Sequence, residues 1–110
     1  MGKTKDAAPI VSFRQHSGRG AIAIFNVPAS NILNSWANPK CALFVSTQRI
    51  YFSPDLTAPG AYSFELKAKK DGTRVIYSAV FREMRLIGKR YRLHYCDNGA
   101  VYINRYKPLE

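Results

Sequence analysis

Residues 62–77 read YSFELKAKKDGTRVIY, and this stretch decides the fold class. Its first six residues alternate between apolar and polar side chains, which is the two-residue period of a half-buried β-strand. The pair Asp71-Gly72 favours a tight turn between antiparallel strands, because glycine readily adopts a positive φ angle. The last four residues, RVIY, favour a return strand, since β-branched and aromatic side chains fit a pleated surface. The stretch therefore predicts a β-hairpin.

A short helix and a second hairpin are predicted after this one. Val80, Met84 and Ile87 recur at the spacing of one helical face. Gly88 is expected to end the helix, because glycine is the preferred residue after a helix C-terminus. Two further strands follow, joined by the turn sequence DNG at 97–99.

The N-terminal half of the chain shows the same order of elements. A shift of 51 residues aligns the two halves without a gap. The predicted helical face of Ala29, Leu33 and Trp36 then falls on the face of the second helix. The strand sequence IYF at 50–52 likewise falls on VYI at 101–103. The matched hydrophobic classes and turns, rather than identical residues, indicate an internal repeat.

Each unit is predicted to fold as strand, strand, short helix, strand, strand. About 45 residues are too few to bury a stable core alone, so we expect two units, residues 10–55 and 61–106, to share one core. The predicted fold is mainly β, a pseudo-twofold β barrel that forms a single domain over residues 10–108. Residues 1–9 are small and polar without a period, which is typical of a flexible N-terminal arm.

The charge of the chain is strongly positive. Seventeen Lys and Arg residues stand against seven Asp and Glu residues, which gives a net charge of +10. Nine of the basic residues but only two of the acidic ones fall within residues 67–92. A field of this sign attracts polyanions, and binding to nucleic acid is driven by the release of condensed counterions. Nucleic acid is the first candidate partner, and acidic proteins or lipid headgroups are alternatives.

The second unit also contains local sequences that match a known family. The strand GTRVIY at 72–77, followed by SAVFRE at 78–83, resembles the glycine–arginine–apolar strand that runs into a helix in the swapped-hairpin DNA-binding proteins, the AbrB/MazE/MraZ-like family. The sequence GKRYRL at 88–93 is similar to that family's entry to its third strand. Two positions depart from the pattern, since Thr73 precedes the arginine and Tyr77 stands where the family usually has proline.

This resemblance implies that one chain supplies both halves of a barrel which other members build by dimerisation. It also implies a double-stranded DNA-binding transcriptional regulator that contacts DNA through basic residues of the first hairpin and nearby loops. The candidate nucleic-acid-binding residues, including Arg85 as an extension of the same patch, are Arg14, Arg19, Lys67, Lys69, Lys70, Arg74, Arg82 and Arg85.

Two other kinds of partner stay open on sequence grounds. The chain can be an interaction module for an acidic protein, as an antitoxin or a phage or host factor would be, and homo-oligomers are compatible with either function. Single-stranded DNA or RNA is the other alternative, because tyrosines can stack on unpaired bases. Tyr91, Tyr95 and Tyr102 are the candidates, although their strand patterns favour packing in the core or at an edge.

No enzyme, cofactor or metal site is predicted. His16 and His94 are far apart in the sequence, and there is no phosphate-binding loop, paired-carboxylate pattern or His/Cys metal spacing. Cys41 and Cys96 match no metal pattern and no disulfide-rich framework. They are expected to be reduced, in or near the core, with one disulfide between them as the open alternative. No apolar run is long enough to span a bilayer, and the N-terminus lacks the apolar stretch of a signal peptide. We therefore expect no membrane partner and a cytoplasmic location.

Overall fold

A computed structural model describes residues 8–18, 20–36, 38–57 and 62–109 of the chain. In these ranges the fold is mainly β, as predicted. The strands are β1 (Ile10–His16), β2 (Gly20–Phe25), β3 (Lys40–Val45), β4 (Arg49–Ser53), β5 (Tyr62–Glu65), β6 (Lys67–Ala68), β7 (Arg74–Tyr77), β8 (Arg90–Arg92), β9 (His94–Tyr95) and β10 (Val101–Asn104). The helices are α1 (Val27–Leu33) and α2 (Val80–Glu83).

The strands form two five-stranded antiparallel sheets. Sheet A has the order β6-β7-β2-β1-β8, and sheet B has the order β5-β3-β4-β10-β9. The described chain passes from one sheet to the other three times: once through α1, between β2 and β3, and twice through a single residue. Only Leu66 separates β5 from β6, and only Leu93 separates β8 from β9. Among the described residues the pairing closes no barrel, so the predicted pseudo-twofold barrel is not confirmed.

Both single-residue crossings bend at a buried leucine. The side chains of Leu66 and Leu93 lie in the core, and their N–H groups donate to the carbonyls of Pro39 and Pro9 at 2.8 and 3.0 Å. The bend keeps the leucine side chain inside while the strand changes its hydrogen-bonding partner. Each strand that alternation alone predicts as continuous is therefore divided between the two sheets.

The core lies between the inner faces of the two sheets. Phe25 of β2 and Phe52 of β4 meet edge to face with ring centroids 5.3 Å apart, which joins sheet A to sheet B. Phe13 of β1 contacts Phe81 of α2 at 5.1 Å and Tyr91 of β8 at 5.8 Å. All five rings are buried, and burial of one such side chain stabilises the fold by about 1.5–3 kcal/mol.

Four strand pairs join the N-terminal half of the chain to the C-terminal half, namely β1–β8, β2–β7, β3–β5 and β4–β10. β2 pairs with β7, where Ile24 lies opposite Val75, and β4 pairs with β10, where Tyr51 lies opposite Tyr102. The members of each of these opposed pairs are 51 residues apart in the sequence. The halves are therefore held together by continuous backbone hydrogen bonding in both sheets.

The predicted face of the first helix is confirmed for Ala29 and Leu33, whereas α1 ends at Leu33 and Trp36 lies beyond it. Asn26 caps α1, and its Oδ1 accepts hydrogen bonds from the N–H groups of Ala29 and Ile10, both at 3.0 Å. Ala29 and Leu33 are buried, and Trp36 packs partly buried against the core.

The second helix is shorter than predicted. α2 ends at Glu83, because Arg85 adopts a left-handed backbone with φ of 62° two residues later. The chain then turns, so that Phe81 and Leu86 fill the core. The predicted helical face of Val80, Met84 and Ile87 only packs against the core from its margin.

The predicted N-terminal arm lies largely outside the described residues. Of residues 1–9 the structure describes Ala8 and Pro9, whose carbonyls accept hydrogen bonds from Asn26 Nδ2 and the Leu93 N–H. In the described ranges, no helix has the length and apolar character that crossing a membrane requires.

A buried serine ties α1 to the second hairpin. Ser30 is fully buried; its hydroxyl donates to the Phe25 carbonyl at 2.9 Å and accepts from the Arg74 N–H at 2.8 Å. Both hydrogen-bonding roles of the hydroxyl are thereby used within the chain. A contact between positions 44 residues apart thus depends on one side-chain oxygen.

Replacing this serine is expected to destabilise the fold. Ser30→Ala leaves the partly buried Arg74 N–H and the buried Phe25 carbonyl without this partner, which lowers the free energy of unfolding by about 1–3 kcal/mol. Urea denaturation measures the change. The matched control is Ser35→Ala, since the exposed Ser35 hydroxyl bonds only locally to the Ile32 carbonyl, and its effect stays within about 0.5 kcal/mol. Equal losses in both variants would contradict this account.

Candidate functional site

The register of sheet A determines which of its side chains leave the core. Residues paired across antiparallel strands share a face, and successive residues of a strand alternate between faces. Val11, Phe13 and Phe25 are buried between the sheets, so the residues that alternate with them point outward. We call this surface the sheet A outer face; its members include Ser12, Arg14, His16, Ile22, Ile24, Lys67, Val75, Tyr77, Arg90 and Arg92.

The sheet A outer face is basic. The five strands of sheet A contain no Asp or Glu, and the side chains of Arg14, Lys67 and Arg92 are exposed on it. Ile22 and Val75 form an apolar floor between the cations and are at most 9% exposed. Since these strands bring no carboxylate of their own, the face presents a positive field to solvent.

Two aromatic side chains belong to the same face. The Nζ of Lys67 lies 5.7 Å from the centre of the Tyr77 ring, and the ring of His16 lies 4.8 Å from that of Tyr77. A cation–π contact of this kind holds the lysine head group above the sheet. Sequence reasoning missed Tyr77 and His16 as site residues, although the two-residue period of β1 already places His16 on the face of Arg14.

The turn between β6 and β7 presents two lysines in an ordered loop, which we call the lysine tip (residues 69–72). Lys69 and Lys70 are exposed, and Gly72 adopts a positive φ of 89°. Asp71 accepts hydrogen bonds from the Thr73 hydroxyl at 2.6 Å and the Thr73 N–H at 3.0 Å. These bonds hold the pKa of Asp71 below its ordinary value, so its carboxylate is ionised at neutral pH. It is the acidic side chain of the lysine tip.

A groove separates the lysine tip from the sheet. Its volume is about 620 Å³, and it lies between the tip and the apolar residues Ile22, Ile24 and Val75. Lys69 and Lys70 line one wall. The tip therefore stands beside the sheet A outer face with its cations directed along the same surface.

The turn between β1 and β2 lies at the opposite end of sheet A. Ser17 and Gly18 both adopt positive φ angles, of 40° and 64°. Arg82 of α2 donates from Nη1 to the Gly18 carbonyl at 3.2 Å, which places an exposed guanidinium beside this turn. Arg19, a predicted binding residue, lies outside the described residues.

Arg74 is placed differently from the other predicted residues. It is paired with Phe25 and therefore lies in an inward row of sheet A. Its guanidinium donates to Asn34 Oδ1 at 2.7 Å and to the Leu66 carbonyl at 2.9 Å. These bonds join β7 to α1 and to the bend between the sheets, so Arg74 contributes to the fold rather than to the outer face.

Arg85 lies apart from both tips. It lines a separate groove of about 320 Å³ together with Lys89 and Arg105, where Glu83 is also present. The structure thus brings Arg14 and Lys67 onto one face, places Lys69, Lys70 and Arg82 at its two ends, and leaves the remaining described candidates elsewhere.

This division can be tested by comparing two arginines. Arg74→Ala removes two hydrogen bonds from a charged donor and is expected to lower the free energy of unfolding by about 1.5–3 kcal/mol. Arg14→Ala changes an exposed side chain and is expected to stay within about 0.5 kcal/mol. Urea denaturation of both variants measures the difference. If Arg14→Ala destabilises the protein as much as Arg74→Ala, the assignment is wrong.

The three tyrosines considered for base stacking have different surroundings. Tyr91 is fully buried and donates its hydroxyl to the Arg105 carbonyl at 3.0 Å, and burial raises its pKa above the ordinary value. Tyr95 is 67% exposed at the edge of sheet B. Tyr102 lies on the outer face of sheet B and is partly exposed. Only the last two are accessible to a ligand.

The histidines and the metal-ligating groups do not converge. His16 lies on the outer face of sheet A, whereas His94 lies on sheet B, where it stacks on Tyr102. Within the part of the chain that the structure describes, no group of three or more His, Cys, Asp or Glu side chains is arranged to hold a metal ion.

The two thiols are free and lie in different environments. Cys41 is buried on the inner side of β3, and burial raises its pKa to about 12. A thiol in this state is protonated and inert at neutral pH. Cys96 is partly exposed at the end of β9.

The thiols should therefore differ in reactivity. In the native protein near pH 8, a thiol reagent such as Ellman's reagent is expected to modify Cys96, and Cys41 only after unfolding. Absorbance of the released chromophore counts the reacting groups with and without urea. Cys96→Ser should abolish the native reaction. Rapid native modification that persists in Cys96→Ser would show that Cys41 is accessible.

No family model matches the chain, and the comparisons with curated proteins and with solved structures give no match either. The resemblance of residues 72–83 and 88–93 to the swapped-hairpin family stays an expectation from the sequence.

Proposed function

We propose that the chain is a non-enzymatic nucleic-acid-binding protein that lays the sheet A outer face on the phosphate backbone of duplex DNA. The observation that carries the proposal is a basic face whose strands contain no acidic residue, with a hairpin tip at each end. Regulation of transcription is the role we infer for such a ligand.

The charges on this face suit a phosphate backbone. Arg14, Lys67 and Arg92 point outward from the sheet, and the lysine tip adds two more cations. Each phosphate that a protein cation neutralises releases condensed counterions, which supplies most of the sequence-independent affinity for DNA. Arg14 is the candidate for reading bases, because a guanidinium can bond bidentately to guanine.

The position of the two tips also supports a duplex ligand. The first tip is the turn between β1 and β2, and the second is the lysine tip. β2 begins after the first and β7 after the second. Because these two strands are antiparallel, the tips point in opposite directions. From the register and the rise of a strand, the tips lie about 30 Å apart. One turn of B-DNA rises about 34 Å, so both tips can meet the same side of a duplex.

The pairing of the strands supports a duplicated unit. At the level of whole strands each pairing has a counterpart in the other half: β1–β2 corresponds to β6–β7, β3–β4 to β9–β10, and β1–β8 to β5–β3. The residue registers of these counterparts depart from an exact shift of 51 by one to four residues. The central pairs Ile24–Val75 and Tyr51–Tyr102 lie where a pseudo-twofold axis would pass. We infer a pseudo-twofold, barrel-like assembly of the swapped-hairpin type, whose symmetry would match the dyad of a palindromic site.

A salt titration tests the proposal. Fluorescence anisotropy of a labelled duplex at several salt concentrations is expected to give an affinity that falls linearly on a log–log plot. Lys70→Glu should weaken binding and reduce the slope by about 0.9 for each phosphate contact that is lost. The matched control is Lys40→Glu, an exposed lysine of sheet B with the same change in charge. An affinity independent of salt, or equal losses in both variants, would reject the proposal.

Removing the acidic charge at the lysine tip should have the opposite effect. Asp71→Asn keeps an oxygen that can accept the Thr73 hydrogen bonds but removes the negative charge beside Lys69 and Lys70. We expect about two- to threefold tighter duplex binding, in keeping with the weight of an exposed charge pair. The same anisotropy assay measures it. An unchanged affinity in Asp71→Asn, with an unchanged melting temperature, would place the ligand away from this tip.

A further inference from the structure

The outer face of sheet B carries an uninterrupted line of rings, which we call the aromatic row (Phe44, Tyr51, Tyr102 and His94). Phe44 is paired with Tyr51, Tyr51 with Tyr102, and Tyr102 with His94, so four neighbouring strands contribute one ring each. The ring centroids of Tyr51 and Tyr102 are 5.5 Å apart, and His94 stacks on Tyr102 at 5.1 Å with an angle of 27° between the planes.

The aromatic row is not required to complete the core. The residues that alternate with it, among them Ile50, Phe52, Val101 and Ile103, are fully buried and fill the space between the sheets. The four rings of the row are each only partly buried. A contiguous aromatic surface left open to solvent is typical of a ligand-binding site.

A cation lies directly on the aromatic row. The guanidinium carbon of Arg49 is 4.2 Å from the centre of the Tyr102 ring, and its Nη1 donates to the Tyr51 hydroxyl at 3.4 Å. The Arg49 side chain is exposed, so its planar group is available to a ligand as well as to the rings. Arginine planes and aromatic rings are both surfaces on which nucleobases stack.

The groove beside Arg49 suits a phosphate. It has a volume of about 490 Å³ and is lined by two cations, two amides and one phenol, namely Arg49, Lys107, Gln48, Asn104 and Tyr106. Tyr106 is 70% exposed. No carboxylate is among these lining residues, so the groove attracts anions.

Along the strands, the side of the aromatic row away from Arg49 has the opposite character. A groove of about 360 Å³ there is lined by Phe44, Tyr51, Ser53, Asp55, Asn98 and Ala100. Hydrogen bonds from Thr57 hold the pKa of Asp55 below its ordinary value, so this side of the row is negative at neutral pH. An anionic ligand is therefore directed to the side of the row where Arg49 lies.

We propose that the outer face of sheet B is a second nucleic-acid site, which stacks unpaired nucleobases on Tyr51 and Tyr102 and holds the adjoining phosphates with Arg49 and Lys107. The ligand is a single strand, because a duplex hides the faces of its bases within its own stack. This site is separate from the sheet A outer face and does not depend on the function proposed for that face.

Binding of short single strands to the whole protein tests this site. Labelled oligouridylate and oligothymidylate of about twelve nucleotides are followed by fluorescence anisotropy. Tyr102→Ala is expected to weaken binding about tenfold, the equivalent of one lost base–aromatic stack. Tyr102→Phe keeps the ring and should stay within about twofold of the parent. Tighter binding of the uridylate identifies RNA as the source of the bases, and equal or tighter binding of the thymidylate identifies DNA.

Matched controls separate this site from general charge effects. Tyr95→Ala removes an exposed tyrosine of sheet B outside the aromatic row and should leave single-strand affinity unchanged. Arg49→Ala should weaken single strands but not duplex, whereas Lys70→Glu should weaken duplex more than single strands. The proposal is overturned if Tyr95→Ala matches Tyr102→Ala, or if neither oligonucleotide binds. Binding of polyglutamate with the same dependence on Tyr102 would show an acidic-protein site instead.

Cross-linking keeps the test decisive if Tyr102→Ala fails to fold. The unaltered protein is irradiated with bound 4-thiouridine oligonucleotide, and the linked peptides are identified by mass spectrometry. Links at Tyr51, Tyr102 or His94 are expected. Links confined to strands of sheet A, with none on the aromatic row, would overturn the second site while leaving the duplex-binding proposal intact.

Discussion

The antiparallel pairing of β2 with β7 is the constraint on which the other features of the molecule depend. Because Ile24 lies opposite Val75, the two hairpins merge into one sheet and their tips point in opposite directions. The same register directs Lys67 outward and Arg74 toward α1. A slip of one residue would exchange the two faces of the strand, so core and surface are decided together. The buried Ser30, which accepts the Arg74 N–H, holds that register against α1.

The two outer faces of the molecule have different chemistry although they belong to similar sheets. Sheet A presents cations over an apolar floor, which suits long-range attraction to phosphates. Sheet B presents rings with one cation above them, which suits short-range stacking. The core is complete without the outward residues of either sheet. The outward positions of the strands can therefore carry binding residues. The packing of the core constrains mainly the inward positions.

Much of the local structure could be predicted from the sequence. The Asp71-Gly72 turn, the buried face of α1 and the mainly β character all follow from patterns within about ten residues. The end of α2 could not be predicted, because Arg85 turns left-handed where the pattern would continue a helix. Among the predicted binding residues, Arg74 is of a type that usually lies at the surface. Only its hydrogen bonds to Ser30 in α1 and to Asn34 just after it show that it faces inward.

The sequence by itself determined the class of the fold, the order of the elements and the strong positive charge, because periodicity, turn residues and composition are local or additive properties. The tertiary structure alone decided that the bends at Leu66 and Leu93 divide two strands between two sheets. It also decided that Tyr51 and Tyr102 lie side by side beneath Arg49. These relations join residues far apart in the chain, and they exist only once strand register and the packing of the shared core have chosen which side chains meet.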